Sequence, residues 1–131
     1  MNIAIPVWED KVSPLFDTAS RLIVFQIEHK VERSRFETLI EEEDLTGRCL
    51  HIQNLAIDIL ICGAISRHLY MMLRSVCEIR VIPWISGRCE DVLTAYLKGR
   101  LNNSKYLMPG CRWKNVSEND EIFKGANGAL V

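Results

Sequence analysis

The stretch "ILICGAISRHLYMMLRSVCEIRVIPWISGRCEDVLTAYLKGRL", residues 59–101, alternates twice between a strand pattern and a helix pattern. Residues 58–63, "DILICG", form a continuous apolar run that ends in glycine, which is typical of a strand buried on both faces of a parallel sheet. A second strand is predicted at 77–84. The helices are predicted at 66–76 and 86–98, with a serine at the first N-cap. Two parallel strands joined by a helix predict a right-handed crossover.

The N-terminal half predicts three strands and a helix. The strands are "NIAIPVW" at 2–8, "RLIVFQIE" at 21–28 and "SRFETLI" at 34–40, and the short link between the last two indicates an antiparallel hairpin. Residues 48–57 place apolar side chains at helical spacing. Pro6 lacks a ladder donor, so we expect a bulge or an unpaired position there.

The predicted order β-β-β-α-β-α-β-α indicates an α/β protein. Its best assembly is a mixed five-stranded sheet with helices on its faces. A chain of 131 residues favours one domain. Residues 102–131 lack periodicity, and at least 114–131 are predicted to be weakly ordered.

Composition and charge exclude several classes of function. The net charge is -1, from 16 basic and 17 acidic residues, so no general nucleic-acid binding is predicted. The longest apolar run, 59–65, is far shorter than the roughly 20 residues that cross a membrane. Residues 1–8 lack a basic segment and a cleavage site, and read as a strand rather than a signal peptide. A cytoplasmic protein without membrane contact is expected.

The five cysteines predict neither a disulfide framework nor a zinc site. Their number is odd, and no CxxC pair occurs. Cys77 is expected to be structural, and Cys62 ends a buried strand, where it faces either the core or a site. Cys89 should stand at a helix N-terminus, which would lower its pKa. Cys111 is expected in a turn outside the core, where burial does not explain it.

A ligand site is predicted at the carboxyl ends of the parallel strands. The loops 9–18, 63–67 and 84–88 should meet there, and the last two lead into helix N-termini, which favour an anion. The candidate contact residues are taken from these loops and from the first helical turns. They are Ser13, Phe16, Asp17, Gly63, Arg67, His68, Gly87 and Arg88.

The loop "KVSPLFD", residues 11–17, admits two interpretations. Leu15 and Phe16 could form a wall of the ligand site, stiffened by Pro14. Alternatively, Phe16 plugs the sheet edge while Asp17 caps a short turn. Composition alone favours the second interpretation.

Residues 3–28, "IAIPVWEDKVSPLFDTASRLIVFQIE", resemble the opening of the dinitrogenase iron–molybdenum cofactor biosynthesis family. This is the NifX-like group, which also supplies the C-terminal domain of NifB proteins. Residues 59–101 fit the middle of the family pattern, and "YLMPGC" at 106–111 is similar to a C-terminal motif of some members. The resemblance therefore divides the chain into a NifX-like cluster-binding domain, 1–111, and a weakly ordered tail, 112–131.

The resemblance implies a ribonuclease H-like three-layer fold without nuclease activity. It implies binding or carriage of an iron–sulfur or molybdenum–iron–sulfur cluster, or its precursor, in metallocofactor assembly. Cluster-assembly or cluster-acceptor proteins would be the partners, and a homodimer is left open. Such clusters are anionic and take soft ligands, which makes Cys111, Cys89 and Cys62 the candidate metal-binding residues. On this basis Phe16 walls the site, and Phe16→Ala is expected to weaken ligand binding more than folding.

One position departs from the family pattern. Many cluster-binding members have a histidine just before the loop phenylalanine, where this chain has Leu15. The alternative function is a metal-free regulatory or partner-binding module of the same fold, with Trp8, Trp84 and Phe16 lining an apolar patch. No nucleophile–base pair and no paired carboxylates occur at useful spacing, so an enzyme is not predicted.

Overall fold

The computed structural model describes residues 1–110, which form six strands and three α-helices. This confirms the predicted α/β class. Two short 3-10 turns, Phe16–Thr18 and Ser104–Tyr106, lie in loops. In chain order the elements are β1 (Asn2–Trp8), β2 (Lys11–Val12), β3 (Arg21–Glu28), β4 (Val31–Leu39), α1 (Leu45–Asn54), β5 (Ile59–Ile61), α2 (Arg67–Ser75), β6 (Arg80–Ile82) and α3 (Cys89–Leu97).

The sheet is mixed, with the order β4-β3-β1-β5-β6. β3 runs antiparallel to both β1 and β4, whereas β1, β5 and β6 are parallel. The predicted hairpin is confirmed, and its turn residues His29 and Lys30 have φ values of 54° and 63°. Positive φ at both central residues is the geometry that suits the twist of a two-residue hairpin. The prediction of five strands was wrong, because β2 adds a sixth by pairing with the end of β1.

The expectation of a bulge or an unpaired position at Pro6 is met in part, because Pro6 faces Leu22 of β3 in an unbroken register and lacks a strand partner only on the other side of β1. β1 pairs with β5 through Ile3 and Ala4 and with β2 through Val7 and Trp8, and Pro6 lies between these two partners. Its carbonyl accepts a hydrogen bond from the Ser13 amide at 2.8 Å, on the side away from β3. The N–H and C=O of one strand residue point to the same side, so the missing donor removes nothing from the β3 ladder.

Helices cover both faces of the sheet and make three layers. Successive residues of β1 point to opposite faces, so that Ala4 packs in one apolar cluster and Ile3 and Ile5 in the other. α1 and α2 lie over the first cluster through buried residues such as Ile52 and Leu69. α3 covers the second cluster through its buried residues Cys89, Val92, Leu93 and Ala95.

Helix caps explain where the helices begin. α1 begins at Leu45 rather than at the predicted residue 48, because the Asp44 carboxylate accepts from the Gly47 amide at 2.8 Å. The predicted N-cap of α2 is confirmed, since the Ser66 hydroxyl accepts from the Leu69 amide at 3.3 Å. No helix within residues 1–110 combines the length and apolar character needed to cross a bilayer.

Candidate functional site

The three loops predicted to meet do lie together at the carboxyl ends of the parallel strands, and their backbones are hydrogen-bonded to one another. The Phe16 amide donates to Ala64 at 2.8 Å, and the Ala64 amide donates to Pro14 at 2.9 Å. The Val12 amide donates to Gly87 at 2.9 Å. We call the surface formed by residues 9–18, 62–68 and 84–89 the loop edge.

Gly63 is required at the centre of the loop edge. A Cβ atom at this position would lie 2.5 Å from the Ser13 carbonyl oxygen and 2.9 Å from that of Pro14. The Gly63 carbonyl also accepts from the Trp84 amide at 2.9 Å. Gly63 and Ser13 are buried, so both join the loops and neither is a surface for a ligand.

Trp84 has a strained backbone at the loop edge. Its φ is 68°, which is rare for a bulky residue, and the side chain is 2% exposed. The Met108 amide donates to the Trp84 carbonyl at 2.8 Å, and the Ser86 amide donates to the Tyr106 carbonyl at 2.7 Å. Residues 104–108 therefore complete the loop edge, which sequence reasoning missed because the segment lacks periodicity. Cys111 and the predicted tail, 112–131, lie outside the described residues.

Oxygen atoms of the chain itself accept from an amide at each of the two helix N-termini at the loop edge. Asp17 Oδ1 accepts from the Ser66 amide at 2.8 Å, which places a carboxylate at the start of α2. At α3 the Cys89 amide donates to the Asp10 carbonyl at 2.9 Å, and Glu90 and Asp91 stand in the first turn. The predicted anion positions are thus partly filled within the fold.

Only some predicted contact residues face solvent. Phe16 is 0% exposed and packs in the cluster beneath α1 and α2, which matches the interpretation of this side chain as a plug. Leu15, beside it, is 39% exposed. The residues with exposed positions are Arg67, His68, Gly87 and Arg88. Because α2 and α3 cover opposite faces, Arg67 and Arg88 flank the loop edge from two sides.

Both predicted cysteine ligands at the loop edge are buried thiols. Cys62 is 0% exposed and Cys89 is 3% exposed. Burial, and then the nearby Asp17 carboxylate, raise the pKa of Cys62 far above its usual value. Burial and the neighbouring Glu90 raise the pKa of Cys89 to about 12, so the expected lowering by the helix N-terminus was wrong. Within residues 1–110, no three His, Cys, Asp or Glu side chains are grouped to hold a metal ion.

Arg48 is a buried cation that sequence reasoning did not select. It is 5% exposed, and its Nη1 donates to the Ala19 carbonyl at 2.7 Å and the Phe16 carbonyl at 3.3 Å. Burial lowers the pKa of the guanidinium, although the Asp17 and Glu42 carboxylates oppose this effect. The available signal was its position one helical turn before the buried Ile52.

A cavity of about 630 Å³ opens beside Arg48, between α1 and the ends of β3 and β4. Nε of Arg48 meets no acceptor within the described part of the chain, so the guanidinium is incompletely satisfied. The cavity is lined by apolar side chains together with hydroxyls, carboxylates and one guanidinium. Its lining consists of Asp17, Thr18, Ser20, Leu39, Ile40, Glu41, Glu43 and Arg48.

Comparisons with known proteins give structural relatives. No family model matches the chain, and no curated protein matches its sequence significantly. The crystal structure of PH0822 superposes with a TM-score of 0.71 at 23% identity, covering 76% of this chain and 91% of that one. A crystal structure described as "a putative dinitrogenase", from Methanocaldococcus jannaschii, gives 0.61 at 20% identity, covering 76% and 90%. An NMR structure described as "a putative NifB protein" of the DUF35 family, from Thermotoga, gives 0.60 at 18% identity, covering 76% and 89%. At these identities the similarity establishes a common fold.

Proposed function

We propose that the chain is a NifX-like member of the dinitrogenase iron–molybdenum cofactor biosynthesis family. In this proposal it is not an enzyme but a cytoplasmic carrier of an iron–sulfur or molybdenum–iron–sulfur cluster, or its precursor. It would pass this cargo to cluster-assembly or cluster-acceptor proteins. The shared fold with structures described as a dinitrogenase and a NifB protein supports the family. The sheet order, with a hairpin on one flank and parallel strands on the other, supports the ribonuclease H-like assignment.

The main support for this proposal is that three loops meet at the loop edge and that exposed basic side chains lie on two sides of it. Arg67 and His68 begin α2, and Arg88 precedes α3. Arg88 Nε lies 3.5 Å from an Asp10 carboxylate oxygen, and these two side chains are 65% and 63% exposed. A solvated ion pair of this kind holds the arginine only weakly, so an anionic cluster could compete for it.

The donor set of the described residues fits electrostatic capture better than thiolate ligation. Cys62 and Cys89 are 0% and 3% exposed, so neither sulfur atom is accessible to a cluster at the surface of the loop edge, and burial raises the pKa of both thiols in the metal-free protein. His68 is exposed at the loop edge and offers an imidazole nitrogen as a ligand. We therefore assign Arg67, Arg88 and His68 to cargo contact, with Cys111 as the proposed thiolate ligand. Ser13, Phe16, Asp17 and Gly63 would shape the loops instead of touching the cargo.

The test is anaerobic binding of a synthetic iron–sulfur cluster and of tetrathiomolybdate, followed by visible absorption and by metal and sulfide analysis. We expect stoichiometric uptake that Arg88→Ala weakens about tenfold, the effect of losing one charged contact. Cys111→Ser should remove the thiolate contribution to the spectrum. Arg33→Ala is the matched control, because Arg33 is an exposed arginine near the hairpin turn, at the opposite end of the sheet. Equal weakening by Arg33→Ala would contradict the assigned site.

A metal-free binding module is the second candidate, favoured by the exposed Leu15 and by the cavity beside Arg48. Trp84 and Phe16 are buried, so an apolar patch at the loop edge would consist of Leu15 and Trp8, which are 39% and 60% exposed. The cavity beside Arg48 has the size of a small-molecule site. Absence of cluster uptake under every condition of the test would favour this module.

A further inference from the structure

Cys49 and Cys77 lie in contact although 28 residues separate them in the sequence. Their sulfur atoms are 2.9 Å apart, and Cys77 Sγ also lies 3.5 Å from the Cys49 carbonyl oxygen. Cys49 is on α1, and Cys77 follows α2 in the connection to β6. Both thiols are reduced in the structure. Two sulfur atoms at this separation need to approach by only about 0.9 Å to reach a disulfide bond of roughly 2.05 Å.

We propose that Cys49 and Cys77 form a reversible intramolecular disulfide, which makes the pair an oxidative modification site. The co-substrate is a low-molecular-weight disulfide of the glutathione class. This inference is independent of the proposed cargo, because neither cysteine belongs to the loop edge.

The two cysteines differ in access, and this difference assigns their roles. Cys49 is 2% exposed, whereas Cys77 is only partly buried and packs against the rim of the same apolar cluster. Cys77 is therefore the residue that meets the external disulfide. Its thiolate attacks one sulfur atom, which forms a mixed disulfide and releases one thiol of the co-substrate. The Cys49 thiolate then attacks the Cys77 sulfur, forms the internal bond and releases the second thiol.

Burial makes this bond slow to form, whereas the bond itself would stabilise the folded chain. Burial, and then the contact with Cys49, raise the pKa of the Cys77 thiol to about 12, so the reactive thiolate is scarce at neutral pH. Once formed, the bond closes a loop between residues 49 and 77 and ties α1 to the connection between α2 and β6. α1 also carries Arg48, which holds the Phe16 and Ala19 carbonyls. Oxidation would thus fix the helix that supports the loop 11–18.

Mass spectrometry can test the pair on the full chain. The native protein is incubated for hours with oxidised glutathione, the remaining thiols are alkylated, and tryptic peptides are compared before and after reduction. We expect peptide 49–67 to become linked to peptide 75–80. Peptide 49–67 also contains Cys62, so two variants are needed to assign the bond. A link that persists in Cys62→Ser identifies Cys49 as one partner, and a link that is lost in Cys77→Ser identifies Cys77 as the other. The thermal midpoint should rise by about 10 °C on oxidation of the wild type, and no rise is expected in Cys77→Ser.

Three results would overturn the proposal. In the first, Cys77 still reacts as a free thiol in the alkylation step after the incubation, while circular dichroism shows a native fold. Another is glutathione that remains on Cys77 as a stable mixed disulfide. The third is a link from peptide 75–80 that disappears in Cys62→Ser.

Discussion

At the residue scale, two neighbours in one loop have opposite environments. Phe16 is 0% exposed and packs in the core, whereas Leu15 is 39% exposed at the loop edge. The Phe16 amide donates a hydrogen bond to the Ala64 carbonyl, and the Phe16 carbonyl accepts one from Arg48. Phe16 therefore anchors the loop in the core, whereas Leu15 lies at the surface of the same loop.

This contrast changes the expected effect of Phe16→Ala. Removing a fully buried aromatic ring should lower the free energy of unfolding by about 3–5 kcal/mol. Leu15→Ala is the matched control and should lower it by less than about 1 kcal/mol. Urea denaturation of both variants measures the difference. Similar losses for the two variants would contradict the anchoring role of Phe16.

At the element scale, the edge strand β4 is attached to the rest of the molecule by charge as well as by its ladder with β3. All nine of its residues are exposed or partly exposed. Arg35 on β4 lies over the Phe25 ring at 4.8 Å and contacts Glu32 at 2.6 Å and Glu90 of α3 at 2.5 Å. This cluster joins the edge strand to the helix that covers the same face.

The Arg35–Glu90 contact predicts a pH-dependent contribution to stability. The hydrogen bond from Arg35 holds the pKa of Glu90 below its usual value near 4.5. A lowered pKa in the folded state means that the contribution is present above about pH 4.5 and is lost as the pH falls through the lowered pKa. Because both side chains are substantially exposed, we expect less than about 1 kcal/mol.

A double-mutant cycle with Arg35→Gln and Glu90→Gln isolates this coupling. The coupling free energy should be present at pH 7, decrease in high salt and vanish near pH 2. A coupling that persists at pH 2 would show that packing, and not charge, joins β4 to α3.

At the scale of the whole molecule, the two apolar clusters share their strands. β1 contributes Ala4 to one cluster and Ile5 to the other, and β5 contributes Leu60 and Ile61 in the same way. Neither helical layer can leave the sheet without exposing a strand that the other layer also needs. Residues 1–110 should therefore unfold as one cooperative unit.

Substitutions on opposite faces test this cooperativity. Leu69→Ala on α2 and Leu93→Ala on α3 each remove a buried side chain and should each cost about 2–5 kcal/mol. Both should shift the same urea transition, with circular dichroism and tryptophan fluorescence coincident. Leu50→Ala, at a position that is 51% exposed, is the control and should change little. Separate transitions for the two probes would contradict a single unit.

Local patterns in the sequence were sufficient for the three helices, for every strand except β2 and for the place of the loop edge. The apolar run before Gly63 predicted the strand that is buried on both faces, and Ser66 predicted the start of α2. The short link after residue 28 predicted the hairpin. Each of these signals depends on residues near one another in the chain, where spacing and capping act directly. The carboxyl ends of parallel strands then had to share one edge.

The tertiary structure alone decided which side chains are available at that edge. It buried Phe16 and Cys89, and it set Asp17 against the amide of Ser66. It also made Arg48 a buried support for the loop and brought Cys49 to Cys77. These outcomes depend on groups that are distant in sequence and compete for the same space and hydrogen bonds. Burial and partner choice are properties of the packed whole, so no local pattern could specify them.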